Sequence, residues 1–313
     1  MPTPGLNYYK PREWLSISSL VSFARCPRKF FYGSGCRLSS VGDKPALDFG
    51  TAIHKGFPEC LVGDHSTKLM RAMQAFMSCW RPELNDDKRN PIRAQAMFND
   101  VIATHYNSIY QLLPPPNGAL SIEDKVSDYE IPFAIDIGLD VPLVGRIDGW
   151  GRHRDTGEIW GVELKTSSEL SARFLDSFQF NPQPLCYTLA LKGLSKENVR
   201  GVMIEGLRVS KTNAETAIHP IYVQDHHLDA FIKWAQFIGG MILECEKRGE
   251  FLQYPSGCGP YSMFGSPGYQ CEYMQLCQVH DWTTLKNLYV QGEDRVFELA
   301  KKATAELIQE TKQ

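Results

Sequence analysis

The stretch from Val144 to Ser167 constrains the fold more than any other part of the chain. Two runs rich in Val, Ile, Leu and Trp flank Asp155-Thr156-Gly157, and such a break between apolar runs marks a turn. The pattern predicts a β-hairpin. With the turn centred between Asp155 and Thr156, Asp148 faces Glu163 across the ladder, where opposed Cβ atoms lie about 4.5–5.5 Å apart. Lys165 lies two positions after Glu163 and so projects from the same face. Carboxylates this close repel unless a positive group lies between them. An acid pair beside a lysine suits a divalent cation that activates water toward a phosphodiester. Two alternatives stay open on these residues alone. Asp-Glu-Lys triplets also occur as ordinary surface clusters, and a one-residue register slip would send one carboxylate to the opposite face.

The 313 residues suffice for one large domain or two small ones, and 43% hydrophobic with 22% charged residues predicts a folded core rather than disorder. No apolar run reaches the roughly 18 residues of a membrane span. The opening Met1 to Lys10 lacks the apolar core of a signal peptide, so the expected location is the cytoplasm, or a host's cytoplasm if the gene is viral. A net charge of −3 means that any nucleic-acid binding needs a local basic patch and bound metal. Nine cysteines, an odd number without a secretion signal, point to metal ligation or buried thiols rather than disulfides.

Taken in order, residues 1–15 read as irregular around Pro2, Pro4 and Pro11. A helix is expected from an N-cap at Ser18, with Leu20, Val21, Phe23 and Ala24 on its apolar side. Pro27 suits the first turn of a second helix carrying Arg28, Lys29, Phe30, Phe31 and Tyr32. Between Lys10 and Arg37 stand six Lys/Arg against Glu13 alone. Basic residues interleaved with aromatics suit single-stranded nucleic acid; a charged face over a buried aromatic stripe suits them as well. Asp48 to His54 opens a helix with Gly50 and His54 on one face, Gly50 admitting a close neighbour. His54 by itself is a structural or exposed residue more readily than a ligand. Residues 66–112 read as mostly helical around Leu69, Met70, Met73, Phe76 and Met77, with polar breaks at 83–92 and at Pro114 to Gly118, the second a hinge between a helical part and a sheet.

A strand pattern runs from Val126 to Leu139, with Glu130 on its solvent side. Gln183 and Tyr187 share one face of a helix that runs to about Leu191. Val202 to Leu207 and Ile218 to Val223 read as strands, and residues 226–249 as an amphipathic helix that includes Phe237. Residues 254–277 break all periodicity and hold Cys258, Cys271 and Cys277, separated by twelve and five residues. A loop of that length is usually held by something. Three cysteines within it point to a metal or cluster that needs a fourth ligand. A charged terminal helix, for packing or a partner, is expected over residues 282–312.

Together these fragments resemble one family. The run from Ser16 to Tyr32 is similar to the opening of RecB-like nucleases of the PD-(D/E)XK superfamily. Gly50 to His54 resembles their Gly-x-x-x-His motif, Gly145 to Asp148 and Val162 to Lys165 their Asp and Glu-x-Lys elements, and Gln183 with Tyr187 their Gln-x-x-x-Tyr motif, all in the family's order. One early cysteine with three late ones resembles the AddB-type and CRISPR-associated RecB-like exonucleases. There, four thiolates hold a 4Fe–4S cluster. The corresponding residues are Cys26, Cys258, Cys271 and Cys277, although in that branch two residues usually separate the first two late cysteines. An inserted loop over 259–270 accounts for the longer gap, and zinc is the alternative occupant.

The resemblance implies an α/β nuclease core, a central mixed sheet flanked by helices, with a helical insertion and a cysteine-ligated region joining the two ends. It implies a single nuclease domain over 1–313, with a helical part at 16–112, a catalytic sheet core at 120–225 and a cysteine-rich part at 226–313. The implied ligands for Mg²⁺ or Mn²⁺ are His54, Asp148, Glu163 and the carbonyl of Leu164, with Lys165, Gln183 and Tyr187 completing the site. The implied activity is DNA exonuclease action on single strands or ends, in recombination, repair or DNA processing. Protein partners or a homo-oligomer are compatible, and no membrane is expected. A nucleic-acid-binding or assembly subunit with weak or no cleavage is the alternative, and a hydrolase of other phosphoesters a third.

Overall fold

The computed structural model of the chain describes residues 13–106, 109–117, 119, 127–254, 258, 271–279, 285 and 287–292. In chain order the elements are α1 (Ile17–Arg25), α2 (Pro27–Phe30), β1 (Leu38–Ser40), α3 (Pro45–Leu61), α4 (Lys68–Met77), α5 (Pro91–Thr104) and β2 (Tyr110–Leu112). They continue with β3 (Ile131–Ile135), β4 (Leu143–Ile147), β5 (Gly149–His153), β6 (Ile159–Ser167), α6 (Ala172–Asp176) and α7 (Pro182–Ser195). The last are β7 (Val199–Arg208), β8 (Thr216–Tyr222), α8 (Asp225–Arg248), α9 (Met274–Val279) and β9 (Tyr289–Gln291). The chain divides into two units. One comprises Met1–Gly42, Ala134–Gly145 and Ala230–Gln313; the other comprises Asp43–Phe133 and Arg146–Asp229.

The second unit holds a five-stranded mixed sheet in the order β2-β5-β6-β7-β8. Only β6 and β7 run parallel. A parallel pair needs a crossover, and α7 lies within it. β6 is buried from Ile159 to Leu164, as expected for a central strand covered on both faces. On one face Val162, Leu164 and Leu207 join Phe49, Ile53, Phe76 and Phe98 of α3, α4 and α5 in one apolar core. On the other, Gly161 meets Leu191 of α7. Gly56 sets how closely the helices approach: a Cβ there would stand 2.4 Å from the Phe98 ring and 2.7 Å from the Ala72 carbonyl. Glu205 of β7 is fully buried in that core, accepting a 3.0 Å hydrogen bond from the Tyr110 hydroxyl, with His105 Nε2 at 3.4 Å.

The first unit packs aromatic side chains from both ends of the chain. Phe30 and Phe31 contact Phe251, and Tyr32 contacts Tyr273. Phe30, Phe31 and Tyr32 are all buried. Of the two readings of the basic-aromatic stretch, these rings therefore form the buried stripe, and they have no face to offer a base.

Several sequence expectations are corrected. The first helix is capped by Ser16, not Ser18, because Ser16 and Ser19 exchange side-chain and backbone bonds in a capping box. Residues 110–112 form a strand rather than helix, and residues 289–291 pair with β1 rather than continue a terminal helix. Runs of three residues are too short to show a period. All of 293–313 lies outside the described residues, as do Val126 and Gly118. Met70 and Met77 are exposed, the apolar face of α4 being carried by Ala72 and Phe76. Phe237 is exposed as well. Glu130 is buried beside Arg146 at 3.3 Å rather than solvent-facing. Among the described residues no helix is long and apolar enough to cross a membrane.

Candidate functional site

The hairpin adopts the expected register. Gly149 pairs with Val162, Trp150 with Gly161, Gly151 with Trp160 and Arg152 with Ile159. Asp148 is one step beyond this ladder, opposite Glu163. The first arm is not continuous, however: it breaks at Asp148, and β4 pairs with β3 instead of β6. The break frees the Asp148 carboxylate to turn along β6, where its Oδ2 accepts a 2.8 Å hydrogen bond from the Leu164 N–H. A side chain thus takes the bond that a neighbouring strand's carbonyl would otherwise accept.

α3 brings His54 to the same point, with Nδ1 3.4 Å from Asp148 Oδ1. Gly50, one turn earlier, stands against β6: a Cβ there would be 3.3 Å from Thr166 Oγ1. A larger residue would require the Thr166 side chain or α3 to yield by a few tenths of an ångström.

Lys165 Nζ donates to Glu163 Oε1, as expected for side chains two apart on one face. The same oxygen accepts from Gln183 Nε2 at 2.8 Å, and Gln183 Nε2 also reaches the Tyr187 hydroxyl at 2.7 Å. α7 holds both residues because Asn181 caps its start at Gln183 N, 2.9 Å, and Pro182 occupies its first turn. The sequence reading opened this helix at Gln183 and passed over Asn181-Pro182, which is its start signal. Tyr187 packs edge-on to Phe133 with centroids 6.1 Å apart.

The site grades from buried to open. The Glu163 side chain is 2% exposed, whereas Asp148, His54 and Lys165 are 21%, 27% and 30% exposed. Burial, and next the Asp148 charge, push the Glu163 carboxyl up to about 7 against the pull of Lys165. Burial pushes Asp148 upward too, but His54, the Leu164 N–H and Lys165 outweigh it and hold the carboxyl below its ordinary value. Burial alone would lower His54 and Lys165; the facing carboxylates outweigh it, and both are raised. Glu163 Oε2 is buried with no hydrogen-bond partner. A buried carboxylate oxygen without a donor, beside a second carboxylate, is an acceptor site for a cation. His54, Asp148 and Glu163 therefore fit a divalent metal by donor chemistry. As they stand, no three His, Cys, Asp or Glu side chains among the described residues are arranged to hold one; Glu163 Oε1 is turned to Lys165 and Gln183 instead.

The four cysteines lie in the first unit as free thiols. Cys26 Sγ accepts from Tyr254 N at 3.5 Å, Cys258 Sγ donates to Tyr254 O at 3.5 Å, and Cys271 N donates to Cys258 O at 3.2 Å. Burial raises the Cys271 thiol, and burial followed by the charges of Cys258, Cys271 and Cys26 pushes Cys277 up to about 12. The fold thus brings all four into one neighbourhood from opposite ends of the sequence. They are not arranged to grip a metal, so the cysteine-ligated cluster of the sequence reading is not formed among the described residues.

A model of the PD-(D/E)XK nuclease superfamily matches residues 14–278. No curated relative matches the chain. Among solved structures, it is similar to a "putative exonuclease" from Eubacterium rectale, with 16% identity over 77% of this chain and 84% of that one and a TM-score of 0.45. It is also similar to SSO0001, with 13% identity over 75% and 79% and a TM-score of 0.32. The family match spans all of Asp148, Glu163, Lys165, Gln183 and Tyr187, and the chain belongs to the PD-(D/E)XK nuclease superfamily.

Proposed function

We propose that this protein is a divalent-metal-dependent deoxyribonuclease, an exonuclease acting on single-stranded DNA or DNA ends in recombination, repair or DNA processing. The observation that carries the reading is the Glu163 carboxylate: buried, held at one oxygen by Lys165 and Gln183, and left at the other without a donor beside Asp148. His54, Asp148, Glu163 and the Leu164 carbonyl would hold Mg²⁺ or Mn²⁺, the imidazole favouring Mn²⁺. When bound, the cation supplies a polarised phosphoryl oxygen and a water of lowered pKa. The chain's own groups supply the rest. His54 and the Leu164 N–H keep Asp148 ionised. Lys165, kept cationic by Glu163 and Asp148, orients the attacking water and offsets charge that builds on the phosphoryl oxygens. Gln183 and Tyr187 hold Glu163 in place and border the path of the strand.

Exonuclease rather than endonuclease action rests on the resemblance to RecB-like enzymes. Labelled single- and double-stranded DNA, blocked at either end and incubated with Mn²⁺ with or without EDTA, tests activity, metal need and direction together. Binding without cleavage would favour the assembly-subunit reading, and cleavage of small phosphodiesters uncontested by DNA would favour a general phosphoesterase. A separate proposal concerns Cys26, Cys258, Cys271 and Cys277 as a 4Fe–4S site of the AddB-type branch, with zinc as the alternative. Their shared neighbourhood supports it. Iron and zinc analysis of anaerobically purified protein tests it.

A further inference from the structure

The connection between β6 and α7 carries an aromatic residue that neither the core nor the carboxylate site uses. Phe180 is 83% exposed, more than any other large apolar side chain among the described residues. Apolar shelter lies close by in the same connection. Phe174 and Phe178 pack edge to face with centroids 5.3 Å apart, and Phe178 is 6% exposed. Among the described residues no ring contact involves Phe180. The backbone around it is held. Phe178 N donates to Leu175 O, Gln179 N to Asp176 O and Asn181 N to Phe178 O, each at 3.1 Å, and the Asn181 side chain caps α7. An exposed phenyl ring on a fixed backbone costs free energy that burial would recover, about 25 cal/mol per Å².

The position explains the cost. Three peptide units separate Phe180 from Gln183, so their Cα atoms are at most about 11 Å apart. Gln183 in turn touches Glu163 at 2.8 Å. That separation leaves Phe180 within reach of a nucleotide flanking a phosphate held at Glu163. Stacking of a base on an aromatic side chain contributes about 1–3 kcal/mol and tolerates any base. An unpaired base has a face to offer, whereas one inside a duplex stacks on a neighbour on either side.

We propose that Phe180 is a base-stacking platform beside the site and that the favoured substrate presents an unpaired nucleotide next to the scissile phosphate. This rests on the nuclease reading above and adds a residue that sets strand preference. In this role Phe180 is a positioning residue and touches no reacting atom.

The test compares wild type, Phe180→Ala and Phe180→Trp with Mn²⁺ on a labelled single strand and on the same strand carrying one abasic position walked from the cleaved end. Phe180→Ala should raise KM about fivefold or more with a much smaller change in kcat, and Phe180→Trp should restore KM. One abasic position should reproduce the loss in wild type and add little in Phe180→Ala, the signature of a coupled pair. An unchanged KM in Phe180→Ala, or equal abasic penalties in both proteins, overturns the platform while the nuclease reading stands. A changed oligomeric mass with unchanged KM assigns the ring to a protein contact and likewise overturns it. Wild type that neither binds nor cleaves any DNA overturns both readings.

Discussion

The carboxylate site and the thiol neighbourhood are both clusters of reactive side chains, yet the chain assembles them by different routes. Asp148, Glu163, Lys165, Gln183 and Tyr187 come from one short span, placed by strand register and the helical period. The cysteines come from opposite ends of the sequence, in a unit whose aromatic rings pack across those same two ends. The charge environments differ as well. In the first cluster Lys165 and His54 already face the carboxylates. In the second, burial and then the neighbouring thiols raise Cys277. The contrast shows that backbone periodicity can place chemistry within a few ångströms inside a local segment, whereas ligands far apart in sequence depend on which surfaces meet.

The largest expected effect separates chemistry from folding in the first cluster. Glu163→Gln and Lys165→Ala should each lower cleavage by about 100-fold or more, as loss of a group aimed at developing charge typically does. Thermal unfolding should still show a single cooperative transition within a few degrees of wild type. Full activity in either purified variant would falsify the mechanism.

Chelation comes next. EDTA should abolish cleavage in wild type and excess Mn²⁺ should restore it, while Glu163→Gln should stay inactive at the same Mn²⁺ concentration. Cleavage that persists in EDTA would separate this site from any divalent cation.

The second cluster is sharpened by its own pair of variants. Cys26→Ser and Cys277→Ser, from opposite ends of the chain, should both empty the purified protein of iron or zinc and lower its melting temperature. Metal analysis that finds neither element in wild type would leave four free thiols and break the comparison.

The smallest effect concerns positioning. Gln183→Ala removes the donor to Glu163 and to the buried Tyr187 hydroxyl. Lys165 still donates to Glu163, so the group left without its donor is the buried Tyr187 hydroxyl; that costs about 1–3 kcal/mol, and a fall of several degrees in melting temperature is expected with roughly tenfold slower cleavage. A variant as stable and as fast as wild type would show that these bonds do not hold the site.

Much of the site was legible because the relevant rules are local. The turn at Asp155-Thr156-Gly157 sets the pairing of every residue back to Gly149, and helical spacing sets Gln183 against Tyr187. Where a competing interaction outweighs local pattern, the reading failed. Glu130 sits at an apparent solvent position, but Arg146 makes burial tolerable there. At the aromatic run after Pro27 local pattern left two readings open, and contacts with Phe251 and Tyr273 decide for the buried stripe.

By itself the sequence determined that Glu163 and Lys165 share one face, because residues two apart on a strand have no freedom of facing; it set Asp148 opposite Glu163 only on the condition that the hairpin register held. Only the tertiary structure decided that the first arm breaks at Asp148, that α3 carries His54 to it, and that one buried oxygen of Glu163 has no donor among the described residues. Each of these depends on burial, and burial is a property of faces that meet after the chain has closed, which no periodicity along the chain records.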